Sequence, residues 1–197
     1  MRHVSTCSAG WQTIMITSMS DKFWHRAALG CGADLAPWLR DHGSLTQRIQ
    51  QRCSRFAVRN MHSGLARIAL DESALLGIAP QQLAYAREVY LYADDQPVVF
   101  AHSVVAHQHL YGAWAAVRSL GSKPLGAMLF AHPLVERKPL HYKALRSTHA
   151  LYQLAAAELS DQPPRLWARR SLFLLHDSPL LVTEVFLPQI RSLTKHI

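Results

Sequence analysis

The sequence predicts an α+β fold, a single domain in which helices cover an antiparallel sheet. Two pairs of strands, each joined by a short turn, carry this prediction: residues 87–92 with 98–105, and residues 166–176 with 180–187. Because segments of helical pattern separate the two pairs, neighbouring strands are expected to pair antiparallel. The 197 residues are enough for one domain with a sizeable core.

The first pair of strands is rich in β-branched and aromatic residues, and a turn at residues 94–97 joins its strands. Alternation places Arg87 on the apolar face of its strand. An arginine at the end of such a face needs an anionic partner. A salt bridge to Glu88 or Asp94 and a bidentate contact with an anionic substrate are both open.

The second pair of strands contains a carboxylate among apolar residues. Glu184 shares a face with Leu180, Val182 and Phe186, and the opposite face of the strand is also apolar. The strand is therefore expected to be central and covered on both sides. A carboxylate there is costly to bury, so it needs an arginine partner or a raised pKa, and it is a candidate general acid or base.

Helix caps and turn residues assign the next elements. Ser44 is a good N-cap residue, and Gln47 completes a capping-box pattern, so we expect a helix that runs towards Cys53. Residues 56–68 are expected to form two short strands around a turn at 60–64.

The middle of the chain alternates between helical patterns and turns. Residues 109–120 have the spacing of a helix that stops at Gly121. Residues 123–126 form a turn that can offer backbone N–H groups to an anion. Residues 139–161 are expected to form one amphipathic helix, within a helical insertion at about 138–164.

Composition and charge narrow the class of protein. Apolar residues make up 49% of the chain and charged residues 17%, and no apolar run approaches a membrane span. Residues 1–33 show no clear periodicity and are expected to be a loosely ordered leader before a domain at 34–197. The net charge of +8 is scattered, without a basic helix or finger spacing, so we do not expect nucleic-acid binding.

Cysteine and histidine usage points away from metals. The three cysteines, Cys7, Cys31 and Cys53, are widely spaced, which favours a reduced, cytoplasmic protein. The twelve histidines match no metal-ligand pattern, so no metal site is expected. The sequence lacks G-x-S-x-G, P-loop and G-x-G-x-x-G motifs, which argues against common hydrolases and nucleotide enzymes.

Several short segments, in this order and spacing, resemble the chorismate pyruvate-lyase family. They are GSLTQR at 43–48, REVYL at 87–91, LGSKPLG at 120–126, WARRS at 167–171 and PLLVTEVFLP at 179–188. The resemblance covers about residues 35–188 and leaves the leader out.

The resemblance implies an antiparallel sheet of about six strands, flanked by helices, that encloses a buried site for an aromatic acid. It implies no cofactor and no metal, and we expect a monomer. In that family an arginine at the position of Arg87 holds the ring carboxylate, helped by the backbone N–H groups at Leu45 and Leu125. A glutamate at the position of Glu184 contacts the ring hydroxyl.

The resemblance also implies the reaction. The enzyme removes pyruvate from chorismate to give 4-hydroxybenzoate, the first committed step of ubiquinone biosynthesis. Formation of the aromatic ring drives the reaction, so the protein mainly has to hold the dianion in a reactive shape and exclude water. Arg87 and Glu184 are the expected catalytic residues.

Two features depart from the family pattern. His102 stands where the family often has an arginine near the site, so we expect it to contact the substrate and to alter anion handling or pH dependence. The 138–164 segment is also longer than usual. Two other functions stay open: a small-acid sensor of the same fold that does no chemistry, and a homologue that makes a different benzoate.

Overall fold

A computed structural model describes residues 24–194 of the chain. Seven strands form one antiparallel sheet in the order β1-β2-β3-β7-β6-β4, and β5 also pairs with β6. The strands are β1 (Phe56–Ala66), β2 (Ala84–Ala93), β3 (Gln96–Ala106), β4 (Glu136–Arg137), β5 (His141–Leu145), β6 (Leu166–Leu175) and β7 (Ser178–Phe186). The predicted α+β fold and its antiparallel sheet are confirmed, with seven strands rather than about six.

Within residues 24–194, five short α-helices and three 3-10 helices accompany this sheet. The α-helices are α1 (Ala36–Leu39), α2 (Leu45–Gln50), α3 (Leu70–Leu76), α4 (Leu125–Ala131) and α5 (Ala150–Ala156). The 3-10 helices are His107–Tyr111, Ala115–Ser119 and Pro188–Ser192. Within residues 24–194 no helix is long and apolar enough to cross a membrane.

Two-residue turns close both predicted hairpins. Asp94 and Asp95 have φ values of 46° and 67°, and His176 and Asp177 have values of 48° and 59°. Positive φ at both positions is the type I′ geometry, whose twist matches that of the flanking strands. The carboxylate of Asp94 also accepts the backbone N–H of Ser54 at 2.9 Å, which fixes the turn against the chain before β1.

Each face of the sheet carries two apolar clusters. On one face, called here the front face, Leu39 and Ile49 pack near one end and Leu125 and Leu129 near the other. On the back face, residues of α5 form one cluster and Leu76 of α3 belongs to the other. The middle of each face, between its two clusters, is polar.

The sequence prediction was wrong for residues 56–68, which form one strand instead of two. β1 pairs with β2 along its whole length, and a register shift between Asn60 and His62 marks a β-bulge at the place where a turn was expected. A bulge accommodates one extra residue without reversing the chain.

The prediction of one helix over residues 139–161 was also wrong. Residues His141–Leu145 form β5, which pairs with β6 and covers its exposed edge, and only Ala150–Ala156 are α-helical. The ring of His149 caps this helix by accepting the N–H of Leu151 at 3.2 Å. The segment at 138–164 therefore contributes a strand to the sheet as well as the short helix α5.

Two further expectations need correction. The segment 109–120 forms two 3-10 helices instead of one α-helix, because the backbone breaks at Gly112 (φ −133°, ψ −114°). In the expected leader, residues 1–23 lie outside the described residues, but His25 pairs with Tyr142, and Ala28 is buried in the core. The packed chain thus begins before residue 34.

Candidate active site

A cavity lies between the middle of the front face and the first turns of α2 and α4. Its empty volume is about 590 Å³, including its opening to solvent. Val89, Leu91 and Leu129 are among its apolar walls. The charged side chains that line it within the described chain are Arg87, Arg137 and Glu184.

Arg87 projects from β2 into this cavity and is only 2% exposed. Its Nη2 donates to the carbonyl oxygens of Gly121 at 2.9 Å and Lys123 at 2.8 Å. Its Nε is buried and has no acceptor. Among residues 24–194 no carboxylate pairs with Arg87, because Glu88 contacts His102, and Asp94 accepts backbone N–H groups near β1.

The salt bridges to Glu88 and Asp94 that the sequence left open are therefore not formed. Burial lowers the pKa of Arg87, since a guanidinium loses hydration when it leaves water. An arginine remains protonated at any physiological pH, so the cavity holds a positive charge that is not neutralised by the described protein.

Glu184 lies on β7, and its carboxylate faces the same cavity. Its Oε2 accepts a hydrogen bond of 2.5 Å from Nε of Arg169 on the neighbouring strand β6. The structure thus contains the arginine partner that the sequence left open as one alternative. The Glu184 side chain remains 17% exposed in this ion pair. The carboxylate is therefore paired with Arg169 and still accessible from the cavity.

Arg169 is completely buried and binds more than the carboxylate. Its Nη1 donates to the carbonyl oxygens of Trp38 at 3.0 Å and Asp41 at 2.6 Å. These carbonyls belong to α1 and the link that leads to α2. One guanidinium therefore fixes the position of Glu184 and of the loop that forms one wall of the cavity.

The first turns of α2 and α4 meet at the cavity. Ser44 caps α2 by accepting the N–H of Gln47 at 3.3 Å, and Leu45 is the first helical residue. Leu125 begins α4 after Pro124. The N–H groups of a first helical turn have no partner within the helix, and Leu45 and Leu125 line the cavity, so both helix starts can offer backbone donors to a ligand there.

Gly126 allows this close approach of α2 and α4. A Cβ atom at Gly126 would lie 3.3 Å from Oγ1 of Thr46 and 3.4 Å from Oγ of Ser44. A Cβ at this position would require the Thr46 hydroxyl to move by a few tenths of an ångström.

A row of residues in register, polar except for Val182, crosses the floor of the cavity. Ser103 on β3 lies opposite Arg87 on β2, and Val182 on β7 lies opposite both Ser103 and Ser171 on β6. All four residues line the cavity. Arg137 of β4 lies beside the Ser171 end of this row: its register partner on β6 is Phe173, and its Nε donates to Oγ of Ser171 at 3.2 Å.

Comparison with known proteins identifies the family. Residues 20–195 match the family model described as chorismate lyase. The chain belongs to the chorismate lyase family. It is 50% identical over 171 residues to a protein named probable chorismate pyruvate-lyase from Nitrosospira multiformis, covering 86% of this chain and 95% of that protein. A protein of the same name from Nitrosomonas europaea is 48% identical over 170 residues, covering 86% and 96%.

Solved structures of other proteins share the fold of this chorismate lyase family member. The C-terminal domain of PhnF has a TM-score of 0.54 at 14% identity, covering 73% of this chain and 88% of that chain. The C-terminal domain of the histidine utilization repressor from Pseudomonas syringae has a TM-score of 0.50 at 12% identity, covering 73% and 95%. At such low identity the likeness shows the fold alone.

Four of the five site residues predicted from the resemblance to the chorismate lyase family lie at one cavity: Arg87, Glu184, Leu45 and Leu125. The fifth, His102, does not. Its neighbours Ala101 and Ser103 line the cavity, so strand alternation places the His102 side chain on the back face.

His102 belongs instead to a cluster of charges on the back face, called here the back-face ion cluster. Its Nδ1 lies 3.2 Å from Oε1 of Glu88, and its Nε2 lies 3.5 Å from Oε1 of Glu72 on α3. Arg170 on β6 pairs with Asp71 beside them. The expected contact between His102 and the substrate does not fit this structure, and His102 gives no reason to expect a different benzoate.

Burial alone would lower the pKa of His102, but the carboxylates of Glu72 and Glu88 outweigh it and raise the pKa to about 10. Burial would also raise the pKa of Glu72. The contacts with His102, the backbone N–H of Ala69 and the charge of Arg170 lower it instead. The back-face ion cluster is therefore charged, and each of its three carboxylates has a cationic partner within the cluster.

Two arginines of the site were missed by the sequence reasoning. Arg169 carries the same signal as Glu184, since it alternates with Trp167, Ser171 and Phe173 on a largely apolar face. Arg137 carries no such signal, because its strand has only two residues and shows no period.

Proposed function

We propose that this protein is a chorismate pyruvate-lyase, which converts chorismate into 4-hydroxybenzoate and pyruvate. Its family and the names of its relatives support this reaction. The single observation that carries the proposal is the buried Arg87, which has no carboxylate partner among residues 24–194 and shares a cavity with the carboxylate of Glu184. A carboxylate on the ligand would pair with Arg87, and Glu184 could accept a proton from the ligand.

In the proposed complex Arg87 binds the ring carboxylate. Its Nη2 is held by two backbone carbonyls, so the side chain is fixed before the ligand arrives and little entropy is lost on binding. The N–H groups of Leu45 and Leu125 would add two neutral donors to the same carboxylate. Neither N–H group has a backbone acceptor among residues 24–194, so a bound anion would supply one.

Glu184 would then act on the opposite side of the ring. It accepts the proton from the ring carbon that bears the hydroxyl, while the ether bond to the enolpyruvyl group breaks and the ring becomes aromatic. The enolpyruvate released takes up a proton and becomes pyruvate. Arg169 holds the carboxylate in place throughout, since its guanidinium is anchored to α1.

The proposal needs neither a cofactor nor a metal, because aromatisation of the substrate supplies the driving force. In the described part of the chain, no group of three or more metal-ligating side chains is arranged to hold a metal ion. We further propose a cytoplasmic monomer that binds no nucleic acid and supplies 4-hydroxybenzoate to ubiquinone biosynthesis.

The direct test is incubation of the purified protein with chorismate, with 4-hydroxybenzoate and pyruvate followed by chromatography. We expect both products in equal amounts, at a rate proportional to protein concentration and lost on heating. Product no faster than in a protein-free sample, together with tight binding of 4-hydroxybenzoate, would favour a small-acid sensor instead.

A further inference from the structure

We propose that Arg137 forms a second anion subsite, which binds the carboxylate of the enolpyruvyl group while Arg87 binds the carboxylate of the ring. This inference rests on the proposed function, since it assigns a place to the second charge of chorismate. It also defines the ligand class in general terms: an organic dicarboxylate whose acid groups lie at opposite ends.

The position of Arg137 is the first argument. The row of Arg87, Ser103, Val182 and Ser171 runs across β2, β3, β7 and β6 in register. Three strand spacings separate its ends, roughly 14 Å between backbones. Arg137 extends the row beyond Ser171, so the two arginines stand at opposite ends of one cavity floor.

The fixed geometry of Arg137 is the second argument. Its Nε donates to Ser171 at 3.2 Å, and its Nη1 donates to the carbonyl of His42 at 2.7 Å. The guanidinium also stacks near the rings of Phe130 and Phe173, at 5.5 Å and 5.3 Å. Its Nη2 has no hydrogen-bond acceptor among the described residues, so this rigid, partly satisfied group still has donors for a ligand.

Charge balance is the third argument. Three charged side chains line the cavity, and Glu184 is already paired with Arg169 at 2.5 Å. No carboxylate lies within salt-bridge distance of Arg87 or Arg137 in residues 24–194. Two positive charges therefore remain, which matches a dianion and exceeds the single charge of 4-hydroxybenzoate.

The immediate surroundings of Arg137 agree with this balance. Burial lowers the pKa of Arg137, and the nearby Arg169 lowers it further, whereas the charge of Glu184 raises it. An additional anion beside Arg137 would favour the charged guanidinium and so offset the effects of burial and of Arg169. The subsite would therefore prefer chorismate over the product, because the product lacks the second carboxylate.

The test compares two stable ligands that differ only in the second carboxylate. 3-(Carboxymethoxy)benzoate has a ring carboxylate and an ether-linked acid at the position of the enolpyruvyl group, and 3-methoxybenzoate lacks that acid. We would measure both affinities by calorimetry for the wild-type protein and for Arg137→Gln. We expect Arg137→Gln to weaken the dicarboxylate about ten- to a hundredfold and the monocarboxylate less than about threefold, as loss of one charge-assisted contact implies.

Lys138→Gln is the matched control. It removes one positive charge from the next residue, but the Lys138 side chain pairs with Glu136 outside the cavity and is 40% exposed. We expect both affinities to stay within about twofold. Ser171→Ala is a second variant that keeps the guanidinium but removes its anchoring hydroxyl, and it should weaken only the dicarboxylate, by a smaller factor.

Three results would overturn the subsite: a wild-type protein with no preference for the dicarboxylate, a variant that weakens both ligands equally, or one that weakens neither. None of these measurements depends on turnover. If the wild-type protein produces no 4-hydroxybenzoate but Arg137→Gln still loses only the dicarboxylate, the lyase assignment fails and the subsite stands. If turnover occurs and the dicarboxylate affinity is unchanged in Arg137→Gln, the subsite fails alone.

Discussion

The two faces of the sheet have the same arrangement of apolar clusters but differ in whether their buried charges are paired. Each face has two apolar clusters with a polar zone between them. On the back face, His102 lies between Glu72 and Glu88, and Arg170 pairs with Asp71. On the front face, Arg87 has no carboxylate partner in the described part of the chain, although Arg87 and Glu88 are adjacent in β2.

This difference separates a structural charge from a functional one. A buried charge that is paired within the protein contributes to one folded arrangement, and removing one partner is costly. A buried charge with no internal partner raises the free energy of the empty protein, so a bound anion lowers it. Burial alone therefore does not distinguish Arg87 from His102, whereas the absence of a carboxylate partner for Arg87 among residues 24–194 does.

The largest effect is expected for Glu184→Gln. The amide keeps the size of the side chain but cannot accept the ring proton, so kcat should fall by about 10²- to 10⁴-fold. The affinity for 4-hydroxybenzoate should change much less, since Arg87 still holds the ring carboxylate. Steady-state kinetics and equilibrium binding on the same preparation check this, and an equal loss in both would assign Glu184 to binding only.

On the back face the largest effect should be on stability. His102→Ala leaves Glu72 and Glu88 buried close together, so the free energy of unfolding should fall by about 3–5 kcal/mol. Urea unfolding would measure it. Turnover per folded molecule should remain near that of the wild-type protein, and a large loss of kcat in a well-folded variant would return His102 to the active site.

The same cluster predicts a pH dependence. The folded pKa of His102 is about 10, above its ordinary value of 6.5. Its contribution to stability is therefore fully present below pH 6.5 and is lost as the pH rises through about 10. The stability difference between wild type and His102→Ala should shrink over this window, and a constant difference in urea unfolding between pH 6 and 10 would contradict it.

Arg87→Gln should affect binding more than stability. Loss of the charged fork should weaken 4-hydroxybenzoate by about a hundredfold, at about 3 kcal/mol for a buried charge-assisted contact. Arg59→Gln is the control, because Arg59 is an exposed arginine that pairs with Glu158 on the protein surface. An Arg87→Gln variant with unchanged affinity, measured by calorimetry, would remove Arg87 from the carboxylate role.

The smallest effect is expected when a glycine on each side of the sheet is replaced by alanine. Gly121 (φ +49°) and Gly77 (φ +66°) both have left-handed backbones, and a Cβ at either would meet no atom within 4 Å. Alanine at each should cost about 1 kcal/mol of stability. Only Gly121→Ala should also weaken 4-hydroxybenzoate, by several-fold, because the carbonyl of Gly121 holds Arg87. Equal binding in both variants would show that this support is unimportant.

The sequence could predict the parts of the fold that strong local patterns specify. Both hairpins are confirmed, because alternation and turn residues predict the same strands. The start of α2 is also confirmed, because the Ser44 side chain accepts the N–H of Gln47. The helix expected over 139–161 failed because β6 needed an edge partner, a long-range requirement that the local pattern of β5 does not express. α3 was not predicted, although Glu72 and Gly77 are typical of a helix start and end.

In the site, too, local patterns predicted some residues and long-range contacts placed the others. Placing Arg87 and Glu184 on apolar faces required only a period of two. The same period of two excludes His102 from the cavity. Ala101 and Ser103 line the cavity, so the side chain between them lies on the opposite face. Arg137 could not have been found, because only the folded sheet brings it to Ser171.

The order of the strands has a consequence for how the protein folds. β1, β2 and β3 pair as chain neighbours, as do β6 and β7, so each group can form early from local contacts. The floor of the cavity is complete only when β3 pairs with β7, which joins Val99 to Phe186 across a long intervening segment. During synthesis on the ribosome, the nascent chain can therefore form folded hairpins before it forms any binding site. Mutations that slow the docking of the two groups would lower the yield of active enzyme without changing the affinity of the molecules that complete it.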